Sequence, residues 1–465
     1  MTSLVVGGGV SGLVSAYFLA KSGHAVTLIE RNFECGGLLR SFDYGEFGRF
    51  DYGAHNILEL GIAELDDLFW SLLPEEDWQV TMTKGGQTRA LTGLIYRQQL
   101  QKGSPFIDLR SHPKWSEYVA ALFTHLNHTD DALLEWHDLT AQQYAECLFG
   151  AKITNEIIGP ALQQLHKKPA YQLNAMVLFL TQFTRLVMFD EPLMQDLLAT
   201  KSIAKRLSYP DQLNLPDSIL NLRRSLYPRD YGIYRVIDAL VKKCKAIGVD
   251  FLLGSEITDL KVLDSTVRNV RVESSEGVRI FDQPDVIFWT AGLMSLSKTL
   301  GLLGSEQWDA PASTVMSHFL LSKPLNAGEL SFIYNYDFGS KIFRIDNYSQ
   351  YCERAPRANG YPITVESLLY TPFEASRLRM DILQEMQSVG LLDGGTDVLF
   401  ETTEQLQYGF PMLSQRNVQQ MNRLRDSIDK CNVQNLQTLG ILAKPGLFFE
   451  SDVMVDTMKA LKKWR

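Results

Sequence analysis

The sequence predicts an α/β protein, a parallel sheet interrupted by a mixed α+β insert. Three observations carry this. The chain opens on a strand, a glycine-rich turn, a helix and a second strand. Strand-like apolar runs return in the middle and near the end, each beside a helical stretch. Between them the pattern changes, from mostly helical over 62–206 to alternating and aromatic-rich over 313–370.

Size and composition bound the rest. The 465 residues make about three domains' worth of chain at roughly 150 residues per domain. Apolar residues at 45% and charged residues at 21% are ordinary for a globular protein and argue against extended disorder. The 45 basic and 54 acidic side chains give −9, the wrong sign for a general nucleic-acid binder. Cys35, Cys147, Cys244, Cys352 and Cys431 form no CxxC pair, so neither a zinc site nor a disulfide framework is expected. MTSLVVGGGVSG enters a strand at once, with no room for a signal peptide. The longest apolar stretch, 175–189, is interrupted by Gln182 and Arg185 and is too short to span a bilayer. The expectation is a soluble, reduced, cytoplasmic protein.

Each element follows from local pattern. Ser3 to Val6 and Ala25 to Ile29 are continuous apolar runs, the mark of parallel strands buried on both faces. Leu13 to Lys21 is built of good helix formers and stops at Gly23. Over 62–206 the pattern is mostly helical, punctuated by Pro105, Pro113, Pro160, Pro169 and Pro192. Within it, Ala175 to Leu198 reads as one apolar core helix. Tyr231 to Gly248 is amphipathic, with Val236, Leu240 and Ile247 on its apolar side. Strands are expected over 250–253, 256–260, 267–272 and 285–290, a helix over 374–389, a strand near Leu399, and a strand, loop and helix over 435–465.

Gly7-x-Gly9-x-x-Gly12 has the context that a dinucleotide fingerprint requires, a strand before it and a helix after. Gly7 allows the tight turn, Gly9 lets a pyrophosphate approach the backbone, and Gly12 lets helix and strand pack closely. The N-terminus of the helix that follows offers free N–H groups and a positive dipole end to a diphosphate, with Val10 and Ser11 of the turn as further contacts. Glu30, eighteen residues after Gly12, is placed to accept ribose hydroxyls. Arg31 follows it, and Gly36, Gly37, Leu38 and Leu39 continue the pyrophosphate surface.

This stretch resembles the flavin superfamily of amine oxidases, protoporphyrinogen oxidases, phytoene desaturases and UDP-galactopyranose mutases. Phe50-Asp51-Tyr52-Gly53-Ala54-His55 is similar to the family's loop beside the isoalloxazine. Pro228 to Ile233 resembles the segment leading into the second part of the cofactor domain. Gly248-Val249 and Glu256-Ile257 resemble the strand that reads adenine, and 285–292, with Thr290 and Ala291, resembles a further cofactor strand. The tail departs from the family's closing Gly-Asp or Gly-Arg motif, leaving Asp452 and Val453 at the last helix start as the flavin or ribityl contacts. The resemblance implies FAD as cofactor. It also implies a glutathione-reductase-like FAD domain made of 1–61, 207–310 and 425–465, with a substrate-binding domain of 62–206 and 311–424.

For catalysis, His55 has two readings: a hydrogen-bonding residue beside the flavin, or one that follows its redox state and moves protons. The run 332–349 is rich in Tyr and Phe and contains Arg344. It resembles a substrate-gripping region of eukaryotic-type galactopyranose mutases and related proteins of polysaccharide gene clusters. An arginine fork suits a diphosphate, and tyrosine supplies stacking area and a hydroxyl. Asp337 or Asp346 is the competing partner for Arg344. Tyr408, before Gly409-Phe410-Pro411, is the third catalytic candidate. The leading expectation is an FAD-dependent oxidoreductase of polysaccharide or secondary-metabolite biosynthesis, taking hydride from a small-molecule substrate to flavin N5. A nucleotide-sugar mutase is the alternative, and a non-catalytic FAD-binding partner protein the third. A sugar nucleotide is the substrate favoured by Arg344, and a homodimer stays open as the assembly.

Overall fold

The structure is a computed structural model that describes residues 1–81, 90–128, 135–219, 223–230, 232–356, 360–406 and 410–465. The first strand, Thr2–Val6, is the middle of a five-stranded parallel sheet. Ala25–Ile29 and then Asp250–Leu252 lie on one side of it, Val286–Trp289 and then Leu436–Thr438 on the other. Strands from the start, middle and end of the chain therefore form one sheet. Its two faces have separate cores, as the alternation of side chains along a strand requires. Val5, Leu28 and Phe288 pack under three helices, Val10–Lys21, Tyr234–Ala246 and Glu450–Leu461. Leu4, Val6, Ile287 and Trp289 face an antiparallel three-stranded sheet of Ser255–Leu263, Thr266–Ser274 and Gly277–Asp282.

The inserted regions build a seven-stranded sheet and a helical layer. The strand order is Val398–Gln405, Ser313–Leu321, Tyr361–Leu369, Arg344–Asn347, Leu330–Asn335, Leu91–Tyr96, Gln99–Gln101. All neighbours are antiparallel except Leu330–Asn335 and Leu91–Tyr96. One face is covered by helix Ala375–Ser388 through Leu378, Ile382 and Met386. The other face lies over the segment 41–55: Tyr348 accepts the Asp51 N–H through its hydroxyl at 2.9 Å, and His318 packs at a tilt against Phe42 and Phe50.

Two expectations need correction. The stretch 62–206 is not only helical, because Trp78–Thr81, Leu91–Tyr96 and Gln99–Gln101 are strands. The partners of the first two lie more than a hundred residues away, and the third is the hairpin mate of the second, so tertiary pairing overrides the local pattern. Ala175 to Leu198 is not one helix but Met176–Leu180 and Glu191–Leu197. Gln182 turns into the left-handed region at φ 58°, and the chain then runs extended. There Leu186 and Val187 donate to the carbonyls of Arg206 and Ile107 at 3.0 and 2.9 Å. Among the described residues no helix is long and apolar enough to cross a membrane.

Candidate functional site

The carboxyl ends of three parallel strands converge on one point. Gly7 turns with φ +102°, and a Cβ there would stand 2.7 Å from the Thr290 hydroxyl. That hydroxyl donates to the carbonyls of Val6 and Gly7 at 2.9 and 3.2 Å. A Cβ on Gly440 would lie 3.1 Å from the Thr290 carbonyl oxygen, so the last loop closes on the same place. Gly12 sits so close to the strand that a Cβ would fall 1.9 Å from the Gly7 oxygen. Gly9, by contrast, has room: a Cβ would meet only the Gly37 Cα, at 4.0 Å. The helix begun at Val10, Ser11 and Gly12 has no side-chain cap, so its first N–H groups stay available to an anion.

Glu30 is nearly buried at the end of the second strand. Its carboxylate accepts the Gly8 N–H at 2.6 Å and both the main-chain and side-chain N–H of Asn32 at 2.9 and 2.8 Å. Arg31, next to it, is exposed. The Glu30 carbonyl accepts the Ser255 N–H at 3.0 Å, which brings the strand of the buried Ile257 beside the acid. Gly36 and Gly37 fold back onto the first glycines. Gly36 N–H donates to the Gly8 carbonyl at 2.7 Å, and a Cβ on Gly37 would stand 3.2 Å from the Gly9 Cα. Leu39 anchors this turn in the core while Leu38 stays exposed. The structure therefore brings Gly7, Gly9, Val10, Ser11, Gly12, Glu30, Gly36, Gly37 and Thr290 together. Ala291, exposed, continues the chain from Thr290.

The last helix joins the same assembly. Thr457 meets Ser11 hydroxyl to hydroxyl at 2.8 Å. Val453 is buried and Asp452 exposed, both in the first turn, which has no side-chain cap. Glu450, half-buried in that turn, is pushed up to about 7 by burial.

From the Gly36–Gly37 turn a wall of contacts leads to the second half of the site. Tyr52 N–H donates to the Arg40 carbonyl at 3.0 Å, and the Arg40 guanidinium lies over the Tyr52 ring. A Cβ on Gly53 would be 3.2 Å from Arg344 Nη2 and 3.6 Å from His55 Nε2, so these three residues meet. Burial, and then the neighbouring Arg344 charge, hold the His55 ring down to about 4, so it is neutral near pH 7. Arg344 and His55 are hemmed in by protein yet keep some accessible surface, as side chains lining a narrow cleft do.

Arg344 is held by two acids. Nε pairs with Asp346 at 3.1 Å and Nη2 with Glu366 at 2.7 Å. Asp346, two residues on along the same strand, shares its face, and Glu366 is its direct partner on the neighbouring strand. Asp337 is elsewhere, accepting the main-chain N–H groups of Arg97 and Gln98. Burial pushes Asp346 up to about 7, partly offset by Arg344. Tyr334, across the sheet, stacks against the Arg344 charge at 5.8 Å. Phe343, Phe410 and Phe448 carry an aromatic wall from Tyr334 to the loop before the last helix. Tyr408 lies outside the described residues. Sequence reasoning missed Glu366, Thr457 and Glu450. Glu366 had a signal, an acid in an alternating strand whose partner strand holds an arginine, but the pairing itself is long-range.

Residues 5–69 match the family model of the NAD(P)-binding Rossmann-like domain. An uncharacterised protein of the nifH2 3′ region in Methanothermococcus thermolithotrophicus is 43% identical over 68 residues, 15% of this chain and 65% of that protein. The matched part thus spans about two thirds of that relative's length. Over the whole chain the fold is shared more widely. The crystal structure of a reduced UDP-galactopyranose mutase superposes with TM-score 0.75 at 15% identity, covering 99% of this chain and 94% of that one. A protein described as a protoporphyrinogen oxidase, from an Exiguobacterium species, superposes with TM-score 0.64 at 14% identity, over 99% and 98%. The chain shares their fold. That likeness of fold runs over nearly its full length.

Proposed function

We propose that this protein is an FAD-dependent oxidoreductase acting on a small molecule. In this reading 1–61, 207–310 and 425–465 form a glutathione-reductase-like FAD domain, and 62–206 with 311–424 form the substrate-binding domain. The residues fit the cofactor. Gly9 is a position where the fold itself tolerates a side chain, so its glycine points to a ligand pressed against the backbone. The uncapped helix starts at Val10 and Glu450 suit the diphosphate and the polar flavin edge. Glu30 accepts three hydrogen bonds within the protein and has one lone pair, on Oε2, left for ribose. FAD, when bound, supplies hydride acceptance at N5.

The chain's own residues do the rest. Gly53, His55 and Arg344 bound the space beside the cofactor. The neutral His55 ring can accept or pass a proton there, while the aromatic wall from Tyr334 to Phe448 excludes water. The observation that carries oxidation over sugar-nucleotide binding is the Arg344 pairing. Asp346 and Glu366 already balance the guanidinium, so no diphosphate is needed to neutralise it. The second reading, a flavin-dependent nucleotide-sugar mutase, is favoured by the mutase superposition over nearly the whole chain.

One experiment separates them. Purified protein is denatured and the released cofactor weighed, and FAD is expected. The intact protein is then mixed anaerobically with amines, alcohols and UDP-galactopyranose. Bleaching of the flavin by an amine or alcohol alone supports the oxidoreductase. Sugar isomerisation only after prior reduction, with the flavin still reduced at the end, replaces it with the mutase. Released FMN overturns both.

A further inference from the structure

A cleft of about 930 Å3 opens along the edge strand Leu436–Thr438, and none of Gly7–Gly12, His55 or Arg344 lines it. Its volume suits a small molecule. Helix Gln415–Lys430, the loop 442–446 and Trp136 form its walls.

Arg425 is the unusual group in it. This half-buried guanidinium donates Nε and Nη2 to the Leu442 carbonyl at 3.2 and 2.7 Å, and Nη1 to the Asn422 amide oxygen at 2.5 Å. Of the five N–H groups of an arginine, these bonds use three, and all the acceptors are neutral. Asp426 and Asp429 also line the cleft but are exposed and make no ion pair with it. Burial alone pushes Arg425 down to about 10, with no acid offsetting it. This contrasts with Arg344, which has two carboxylates. A charge so placed is costly unless an anion joins it. Clamping the Leu442 carbonyl, at a residue with φ +59°, explains part of the fork but not the cavity beside it. Trp136 supplies a flat wall, its ring lying against His137 at 4.0 Å and Phe179 at 4.8 Å.

We propose that this cleft is a second small-molecule site that takes a planar monoanion, its carboxylate on Arg425 and its ring against Trp136. The exposed Asp138, Asp426 and Asp429 in the lining outnumber Arg425 and Lys444, and Lys444 is already paired with Asp456, so a dianion is repelled more than a monoanion.

Benzoate is the probe, with benzamide and inorganic phosphate as controls, in equilibrium dialysis against the intact, cofactor-loaded protein. One benzoate per chain should bind with a Kd of about 1 mM or tighter, and neither control should compete. Arg425→Gln should weaken binding at least about tenfold, and Arg425→Lys, which keeps the charge but not the fork, by less. If Arg425→Gln does not fold, Trp136→Leu carries the test and should also weaken binding about tenfold. The flavin spectrum should not move. Three results each overturn the proposal: no saturable binding up to about 10 mM, affinity unchanged in Arg425→Gln or, where that variant does not fold, in Trp136→Leu, or a benzoate-induced flavin shift, which would place the probe in the other site. None of them bears on the oxidoreductase reading.

Discussion

Gly8 gives its N–H to Glu30 at 2.6 Å, so the acid marked as the ribose ligand also braces the glycine turn. Removing it has two effects. Glu30→Ala leaves a buried N–H without its acceptor and takes a charged acceptor from the ribose, at about 1–3 kcal/mol for each lost partner. The expected outcome is weaker cofactor retention together with a lower melting temperature. Glu30→Gln, which keeps an oxygen for Gly8, should recover most of the stability but only part of the retention. Unchanged retention in Glu30→Ala would show that the cofactor does not use this acid.

Gly9 and Gly12 should part company on substitution to Ala. At Gly12 the Cβ would fall 1.9 Å from a main-chain oxygen, so Gly12→Ala should disrupt helix–strand packing and destabilise the apoprotein. At Gly9 the φ is −70° and the Cβ has 4.0 Å of room, so the Gly9→Ala apoprotein should melt like wild type. Its cofactor content should nonetheless fall, because the backbone can no longer be approached. Thermal melts of apoprotein beside flavin content check both, and normal flavin content in Gly9→Ala would move the pyrophosphate elsewhere.

The glycine turn was legible because everything it needs is local: a buried strand, three glycines in register, a helix and an acid within thirty residues. The sheet order was only half legible. Apolar runs announced strands at 250–253 and 285–290, but nothing local says that Leu436–Thr438 joins their sheet. The same limit hid the strand Leu91–Tyr96, which exists through pairing with Leu330–Asn335. It also hid the break after Leu180, set by main-chain bonds to Ile107 and Arg206. At the candidate site, Arg344 was visible as a charge in an aromatic strand. Its second acid, Glu366, depends on a register between separate strands and was not visible.

His318 gives the acid side of the stability curve. It is fully buried, with Nδ1 on the Thr364 hydroxyl at 2.8 Å and Nε2 without a partner among the described residues, and burial holds it down to about 3. A histidine depressed in the folded state keeps its stabilising contribution above its ordinary value and loses it as pH falls toward the folded one. Between pH 6.5 and 5 that loss is about 2 kcal/mol. Asp51, which burial pushes up to about 6, works in the opposite direction over nearly the same range. The total curve is therefore not diagnostic, but a difference is. The stability gap between wild type and His318→Gln, from urea melts, should shrink by about 2 kcal/mol on going from pH 6.5 to 5. A constant gap would mean that His318 titrates normally.

Arg344 settles how the inner wall of the site is held. With Asp346 and Glu366 both nearly buried, taking the guanidinium away strands two carboxylates in a low-dielectric place, at about 3–5 kcal/mol. Arg344→Gln should be destabilised by that order. Adding Glu366→Gln should recover part of the loss by removing one of the stranded charges. The pH dependence has a definite sign. Asp346 is raised in the folded state to about 7, so its protonated form is favoured by folding. Stability from such a carboxyl is fully present below its ordinary value near 3.8 and is lost as pH rises through 7. Without Arg344 the cost of ionising it grows, so the deficit of Arg344→Gln should be small at pH 5 and larger at pH 8. Urea melts of the two variants at both pH values measure this. If Arg344→Gln keeps wild-type stability and flavin content while KM rises, the arginine serves the substrate rather than the fold, and the sugar-nucleotide reading regains its main support.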